Sequence, residues 1–507
     1  MWFHMMQRLR ASLSWLLVAA FVGVNLAFIA QFLVVSLARD TYPFELEWFE
    51  GLAIDHAWRI IHGLPIYGLP DATFAAGYYP PLFYLVTLPF IVASGWTLWG
   101  ARLVSWMATV GAGLLAARLV RRAGGSWAAI VFMLGSIAAF YAPTVHWYDL
   151  ARVDALETFL VVAGVAALAA ADRRPGSARL WLAAALLTLA VLAKQTAGFF
   201  CVAALLYVAA ERDWQRLATL ATAFAILGLV SAAALWVWTD GWIIQIYTVP
   251  RHLWTSYDRL WKFASFGKGL LPLLFLAAAG ARRPVARLFL VQAVVAVFVA
   301  ALSFIKVGGD TNSALPAIFL AAIAAGLAAQ DVWRALEVST PRRALRAAGL
   351  VVLLVMPLWG NALPADLLEW IPTAEDRRAA HDLWEDMRAQ PGDFLAYNYS
   401  FASTVLRGKT YPNGSLLYAF AGGYDASTFL RPDVARYPPE FVQAIAERRY
   451  TAIYTNGGRV PDDPIDRLIR SHYRPERTFG ELAVRPGVAR WRQVTPRQKW
   501  VPKTGED

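Results

Sequence analysis

Residues 11–51 read ASLSWLLVAAFVGVNLAFIAQFLVVSLARDTYPFELEWFEG, an uncharged run of 28 residues followed by an acidic loop. A helix needs about 20 apolar residues to cross a bilayer, so the run is long enough to span it. Arg8 and Arg10 precede the run, which therefore resembles a signal peptide, but it is too long for a typical signal-peptide core. We predict an uncleaved membrane anchor.

The composition excludes several classes of protein. Of the 507 residues, 58% are hydrophobic and 16% are charged, whereas soluble domains average about 25% charged residues. So large an apolar and aromatic content also excludes a disordered chain. The one cysteine, Cys201, excludes a disulfide scaffold and a cysteine-based zinc site.

Further apolar runs predict membrane helices and bring the expected count to about eleven. These runs are 103–117, 123–145, 155–171, 178–193, 195–210, 217–239, 266–281, 288–305, 313–330 and 347–363. The fold class that we expect is mostly helical. A polytopic membrane domain over residues 1–365 precedes a smaller domain over residues 366–507.

Basic residues predict the orientation. Six alternate short loops hold 17 arginines against five acidic residues, whereas the remaining loops of the membrane part hold ten basic and twelve acidic residues. The positive-inside rule places the arginine-rich loops and the N-terminus in the cytoplasm, and an odd number of crossings puts residues 366–507 outside. The net charge is +10 over residues 1–365 and only +1 over the rest. The excess of basic residues therefore belongs to the membrane part, which argues against a C-terminal tail that binds nucleic acid.

One uncharged segment tests this count, because residues 80–97 could also span the bilayer. If they crossed together with 103–117, every later arginine loop would move outside. We prefer an interfacial or re-entrant helix over 80–97, which Pro80-Pro81 would open at its first turn.

The sequence beyond residue 361 changes character and predicts a small α/β domain. Helices are expected over 375–388 and 438–449, strands over 393–399 and 450–454, and a turn at 456–458.

Three carboxylates gather in the first outer loop: Glu45, Glu47 and Glu50. Glu47 and Glu50 are three residues apart and would share a face of a helix. Desolvation at an apolar boundary raises the pKa of a carboxyl group and suits it to general base catalysis. A solvated acidic turn is the alternative, and the framing by Trp48 and Phe49 favours a site.

A second loop on the same predicted side carries Tyr148, Asp149, Arg152 and Asp154. Ionisable residues at membrane depth are costly and usually functional, although Arg152 with either aspartate could also form a structural pair.

Three basic segments complete the outer side. Lys194 has no acidic neighbour in sequence and suits a phosphate, or else its side chain reaches the headgroups. The loop 240–268, which contains Arg251, suits a lipid phosphate or an aromatic interface belt. Residues 306–312, with Lys306, Asp310 and Asn312, suit an anion-binding turn or a plain one.

Together the five clusters offer carboxylates as acid/base groups and cations as phosphate partners on one side of the membrane. This is an inventory for moving a group from a lipid-linked phosphate to an acceptor outside. A transporter of lipid-linked sugars would more often show internal repeats and broken midplane helices, which are not evident in the sequence. A membrane scaffold would leave the three glutamates without a role.

The order of several motifs resembles the GT-C superfamily of polytopic membrane glycosyltransferases, over roughly residues 10–330. These motifs are the anchor with its acidic loop, Tyr79-Pro80-Pro81-Leu82, the helix led by Arg102 and the Arg152-x-Asp154 loop. The chain looks most similar to the bacterial branch that resembles protein O-mannosyltransferases and the lipid A aminoarabinose transferase.

This resemblance implies a polyprenyl-phosphate-sugar donor, with transfer of a hexosyl or pentosyl group on the periplasmic side of a bacterial inner membrane. It implies an inverting displacement with a first-loop carboxylate as the base. Relatives often show an Asp-Glu pair there, whereas this chain has Glu45-x-Glu47-x-x-Glu50, so we favour Glu47, then Glu50. The acceptor, whether glycan, lipid or protein, stays open.

The resemblance also assigns the other candidates. Arg152 and Asp154 would organise the site, while Lys194, Lys306 and Arg251 would stabilise the leaving phosphate. We expect the substrate to contact further polar residues, namely Glu45, Tyr79, Tyr148, Asp149, Asp310 and Asn312. No divalent metal is required by this inventory, although some relatives use one and Glu47, Glu50 and Asp154 would offer oxygen ligands.

Overall fold

The structure is a computed structural model of the chain. It describes residues 2–172, 176–253, 255–306, 308–337, 370–421, 436–456, 464–479 and 496–504. The predicted span 347–363, the predicted domain boundary at residue 365 and most of the predicted turn 456–458 lie outside these residues.

The described membrane part is a series of α-helices, numbered here in chain order. They are α1 (Trp2–Asp40), α2 (Leu52–Ile61), α3 (Leu82–Ala93), α4 (Leu98–Arg122), α5 (Trp127–Ala139), α6 (Val153–Ala169), α7 (Ala178–Ala193), α8 (Gly198–Ala210), α9 (Trp214–Trp238), α10 (Val249–His252), α11 (Arg259–Gly267), α12 (Leu271–Ala279), α13 (Pro284–Phe304) and α14 (Leu315–Glu337). Short 3-10 turns at Gln195–Ala197 and Thr311–Ala314 precede α8 and α14. The predicted runs up to residue 330 therefore coincide with helices.

Within the described residues, six segments are long and apolar enough to cross a membrane. They are Val18–Asp40, Leu98–Arg122, Trp214–Trp238, Arg259–Ala279, Pro284–Phe304 and Thr311–Ala329. The predicted count of about eleven is larger, because α5, α6, α7 and α8 are 13 to 17 residues long. The crossings by these shorter helices stay predictions.

Three of the arginine-rich loops lie at the same end of the helix bundle. Arg287 forms an ion pair with Glu211. The Tyr207 hydroxyl donates to the carbonyl of Pro284 at 3.0 Å, and Arg216 donates to the carbonyl of Leu168 at 3.4 Å. The chain segments after α6, before α9 and before α13 therefore lie on one side, as the charge pattern predicts.

Two short helices follow the membrane anchor. α2 has 10 residues and buries most of them. α3 has 12 residues, with Pro81 just before its first turn. At 1.5 Å per residue, α3 is about 18 Å long, well short of a bilayer core of about 30 Å. This length agrees with the interfacial or re-entrant helix predicted over 80–97.

The C-terminal part is an α/β domain, as predicted. Its helices are α15 (Ala374–Arg388), α16 (Phe401–Arg407), α17 (Gly414–Ala421), α18 (Pro439–Ala446) and α19 (Pro464–His472), and its strands are β1 (Phe394–Ala396), β2 (Ala452–Thr455), β3 (Tyr473–Thr478) and β4 (Gln498–Pro502). The sheet order is β1-β2-β4-β3, with β1 and β2 parallel and the other pairs antiparallel. A capping box between Thr373 and Asp376 starts α15.

We expect a cysteine placed at Leu69, which is 71% exposed in the first outer loop, to react with a membrane-impermeant maleimide in intact cells. A cysteine at the exposed Arg212 should react after the membrane is permeabilised, since arginine-rich loops face the cytoplasm. The parent for both is Cys201→Ser, which should stay unlabelled. The reverse labelling pattern would overturn the predicted orientation.

Candidate active site

The guanidinium of Arg102 organises the first outer loop. It lies on α4, is fully buried and forms two parallel hydrogen bonds to Glu50, Nε–Oε1 at 2.8 Å and Nη2–Oε2 at 2.7 Å. Its remaining protons are donated to the backbone carbonyls of Arg39, Tyr42 and Phe44. The loop therefore wraps around one buried cation.

Glu50 extends this arrangement to the second loop. Its Oε1 accepts from the backbone N–H of Ala151 at 2.9 Å, and its Oε2 accepts from that of Leu46 at 2.6 Å. Both carboxylate oxygens are thus committed to structural partners, so Glu50 holds the two outer loops together.

The side chain of Glu47 points to a different set of partners. Its Oε2 accepts from Arg152 Nη1 at 2.8 Å and from the backbone N–H of Phe49 at 3.0 Å. Arg152 Nη2 donates to the Tyr79 hydroxyl at 2.9 Å, and the guanidinium lies 5.3 Å from the ring centres of Phe49, Tyr79 and Trp147. We call Glu47, Arg152 and Tyr79 the base network.

A second network begins at Asp154, two residues after Arg152. Asp154 Oδ1 accepts from Lys194 Nζ at 2.7 Å and from Asn312 Nδ2 at 2.9 Å. Lys194 also lies 3.4 Å from Glu157 Oε2, and the Thr196 hydroxyl donates to Glu157 Oε1 at 3.1 Å. We call Asp154, Glu157, Lys194, Thr196 and Asn312 the lysine network. It joins residues from α6, the turn before α8 and the turn before α14.

Glu47 and Glu50 are both buried, but their different partners shift their pKa values in opposite directions. Burial raises the pKa of Glu47 to about 7. The charge of Arg152 and the N–H of Phe49 lower it, but they offset the effect of burial only in part. Glu50 is equally buried, but the charge and hydrogen bonds of Arg102 outweigh burial and hold its pKa below the ordinary value. Glu47 can therefore exchange a proton near neutral pH, and the geometry favours it over Glu50 as a base.

Unpaired polar atoms lie on both networks. In the described part of the chain, the buried atoms here without a hydrogen-bond partner include Arg152 Nε, Asp154 Oδ2, Glu157 Oε2 and Asn312 Oδ1, together with Oε1 of the neighbouring Gln195. Buried polar groups are normally paired with protein or water. The unpaired atoms therefore indicate where a substrate's polar groups, or water in its absence, complete the hydrogen bonding.

Lys194 has no acidic neighbour in sequence, but it has two in the structure. Its ammonium group contacts two carboxylates, which α6 supplies from 40 and 37 residues away in sequence. Burial lowers the pKa of Lys194, but the charges of Asp154 and Glu157 raise it by more. Lys194 is therefore a fixed cation within an acidic surrounding.

Three other predicted substrate contacts lie elsewhere. Tyr148 is buried and donates its hydroxyl to the carbonyl of Ile137 at 2.9 Å. Asp149 accepts from the Tyr141 hydroxyl at 2.9 Å and lies 3.7 Å from Arg39. Glu45 accepts from the N–H of Gly51 at 2.6 Å. Each of these three residues thus has a hydrogen-bond partner within the protein.

The remaining candidates lie around one loop junction. Lys306 Nζ donates to the carbonyls of Arg251 and Leu253, each at 3.1 Å. Arg251 is exposed and donates to the Tyr247 hydroxyl at 3.2 Å. Asp310 accepts from the N–H of Thr311 at the start of a 3-10 turn. Among the described contacts, it is Asn312 that carries this junction into the lysine network.

Two of the three carboxylates that could offer oxygen ligands to a divalent metal have other partners. Glu50 is bonded through both oxygens, and Asp154 Oδ1 is shared by Lys194 and Asn312. Across the residues that the structure describes, no group of three His, Cys, Asp or Glu side chains is arranged to hold a metal ion.

Sequence reasoning missed Glu157, which lies inside a run interpreted as apolar. The signal was present, because an ionisable residue at membrane depth indicates function and this one follows Asp154 by three residues, on the same helix face. Arg102 was recognised in the sequence as part of a motif, but its role as the partner of Glu50 was not predicted.

The architecture is a GT-C-like fold, as the resemblance in the sequence predicted. Residues 78–256 match the model of glycosyltransferase family 87, and this stretch includes Tyr79, Arg152, Asp154 and Lys194.

Two solved structures share this fold. The chain is similar to ArnT from Cupriavidus metallidurans bound to undecaprenyl phosphate, with a TM-score of 0.56 and 14% identity over 95% of this chain and 98% of that one. For ArnT in the apo state the TM-score is 0.55, with 14% identity over 94% and 97% of the two chains. A comparison with curated proteins finds no match.

Replacing Arg102 with methionine should destabilise the protein by about 3–5 kcal/mol, because Glu50 would become a buried, unpaired carboxylate. We expect a lower midpoint in denaturation by SDS in mixed micelles. Arg118→Met, at an exposed position of the same helix, should change the free energy of unfolding by less than about 0.5 kcal/mol.

A double variant makes this prediction specific to the ion pair. Arg102→Met combined with Glu50→Gln should cost less than the sum of the two single changes, because the buried charge is removed with its partner. Strictly additive effects would contradict the assignment.

Proposed function

We propose that this protein transfers a sugar, a hexose or a pentose, from a polyprenyl-phosphate-linked donor to an acceptor hydroxyl, with inversion. The observation that carries the proposal is the base network. The first outer loop of this GT-C-like fold presents a buried carboxylate, Glu47, whose pKa lies near neutrality. Glu47 pairs with Arg152, which three aromatic rings surround. The transfer would take place at the outer face of a bacterial inner membrane.

The reaction is a single displacement. The acceptor oxygen attacks the anomeric carbon, and the bond between that carbon and the phosphate oxygen breaks. The polyprenyl phosphate leaves with the bonding electron pair, and the acceptor's proton passes to Glu47. The proposal uses Oε1 of Glu47 for this proton, because its hydrogen bonds from Arg152 and Phe49 both reach Oε2.

Arg152 and Lys194 are the cations proposed to stabilise the leaving phosphate. Arg152 keeps an unpaired Nε, and Lys194 pairs with Asp154, two residues after Arg152 in the chain. Negative charge on the bridging oxygen grows as the bond breaks, so a fixed cation there lowers the barrier as well as aiding binding. Lys306 and Arg251 would contact the phosphate more peripherally, through the loop junction that ends at Asn312.

The two networks couple donor binding to base strength. Three carboxylates, Glu47, Asp154 and Glu157, share the two cations Arg152 and Lys194. A donor phosphate that takes part of this positive charge leaves Glu47 less stabilised in its ionised form. Donor binding should therefore raise the proton affinity of Glu47 and ready it for the acceptor hydroxyl.

Glu47→Gln should lower the rate of sugar transfer by at least about 100-fold, because an amide cannot accept the proton. The measurement is transfer of radiolabel from polyprenyl-phosphate sugars to acceptors in membranes, with Glu375→Gln, an exposed position on α15, as the matched control. Wild-type rates in Glu47→Gln would contradict the assignment. If the wild type moves no label but carries lipid-linked sugar across liposomes, the chain is a transporter.

The transfer rate should rise with pH up to a plateau. Glu47 acts in its ionised form, and burial raises its pKa to about 7, so protonation lowers the rate about tenfold per unit below that value. The plateau should begin near pH 8. The initial rate of donor turnover far below saturating donor, which reports on the donor-free enzyme, tests this expectation from pH 5.5 to 8.5. A rate independent of pH over this range would contradict it.

A further inference from the structure

One segment of the C-terminal domain, residues 399–404, packs against the loop that carries Glu47. The Tyr399 hydroxyl accepts from the backbone N–H of Glu45 at 3.3 Å. Phe401 is buried, and its ring stacks at 5.9 Å on that of Trp384. The Tyr399–Glu45 hydrogen bond joins residues 354 positions apart in the chain.

Gly51 shows how close this approach is. A Cβ atom built on Gly51 would lie 2.5 Å from Glu45 Oε1 and 2.6 Å from a ring carbon of Phe401. Real Cβ atoms do not come so near, so a side chain at this position would push the loop and the C-terminal domain apart. The backbone N–H of Gly51 donates to Glu45 at 2.6 Å, which closes the loop around Glu47.

A buried carboxylate fixes the other end of the loop. Asp55, on the first turn of α2, accepts from the Ser400 hydroxyl at 2.7 Å and from the Thr404 hydroxyl at 2.5 Å. Asp55 is 1% exposed, and both of its oxygens are used by the C-terminal domain. Hydrogen bonds to a buried charge are among the stronger ones in proteins. A further link runs from Arg59 Nη1 to the Thr410 hydroxyl at 3.0 Å.

We propose that the C-terminal domain is a positioning element of the active site. Through Tyr399, Ser400 and Thr404 it holds both ends of the segment 45–55 and so sets where the Glu47 carboxylate lies. The inference rests on the proposed transferase function. It assigns these three as positioning residues, which act through Glu47, and it makes transfer dependent on a docked domain. A displacement of about 1 Å at a reacting group can cost 100-fold in rate.

The test uses the full-length protein with Ser400→Ala and Thr404→Val combined. Hydrogen exchange by mass spectrometry reports on the backbone of residues 45–55 without any need for activity. We expect exchange there to be at least about tenfold faster. We also expect kcat to fall at least about tenfold, while KM for the lipid-linked donor changes less than about twofold.

Three variants control for folding. Ser471→Ala removes an exposed hydroxyl of the same domain and should leave both measurements unchanged. Thr404→Ser alone keeps a hydroxyl that can donate to Asp55, so this variant should retain most of the wild-type activity. Tyr399→Phe removes one oxygen and retains the ring; if the double variant does not fold, it is the variant to measure, with an expected loss in kcat of about threefold.

The exchange measurement keeps this inference separate from the proposed function. Unchanged exchange over residues 45–55 overturns it, whether or not the wild type transfers sugar. Faster exchange with unaltered kcat also overturns it, since the contacts would then serve docking alone. Faster exchange with a loss confined to kcat supports it. If the wild type transfers no sugar, the proposed function fails and the positioning role fails with it.

Discussion

A single buried cation, the guanidinium of Arg102, organises the loop between α1 and α2. It pairs with Glu50 through two parallel hydrogen bonds and takes up backbone carbonyls at the end of α1 and in the following loop. A charge this deep is stable because every proton has a partner, and removing one partner would leave the others exposed to a large desolvation cost. The direction in which the loop presents Glu47 depends on this arrangement.

The active site follows from an uneven distribution of buried charge. Glu50 has a cation of its own, so it stays ionised and structural. Glu47 shares Arg152 with the neighbouring aspartate, tyrosine and aromatic rings, so burial dominates and its pKa lies near neutrality. Two glutamates three residues apart thus acquire different chemistry from their surroundings. This contrast supports the proposed base more directly than the acidity of the loop does.

Much of the fold could be predicted because bilayer physics is simple. Lengths and hydropathy located the helices up to residue 330, and the arginine pattern grouped the loops that the structure brings together through Arg287 and Glu211. The helix over Ala374–Arg388 was also predicted within a residue, since its amphipathic pattern is a local signal. Span counting was less secure, because α5 and α8 are shorter than a crossing requires.

Most members of the candidate site were predictable, with Glu157 an exception, but their pairing was not. The sequence by itself determined the membrane class, the helix positions and a set of carboxylates and cations on one side, because each depends on composition and spacing along the chain. The tertiary structure decided which carboxylate meets which cation: Glu50 with Arg102, Glu47 with Arg152, and Lys194 with Asp154 and Glu157. These partners lie 37 to 105 residues apart, and a buried ion pair depends on the packing of helices, which spacing in sequence does not encode.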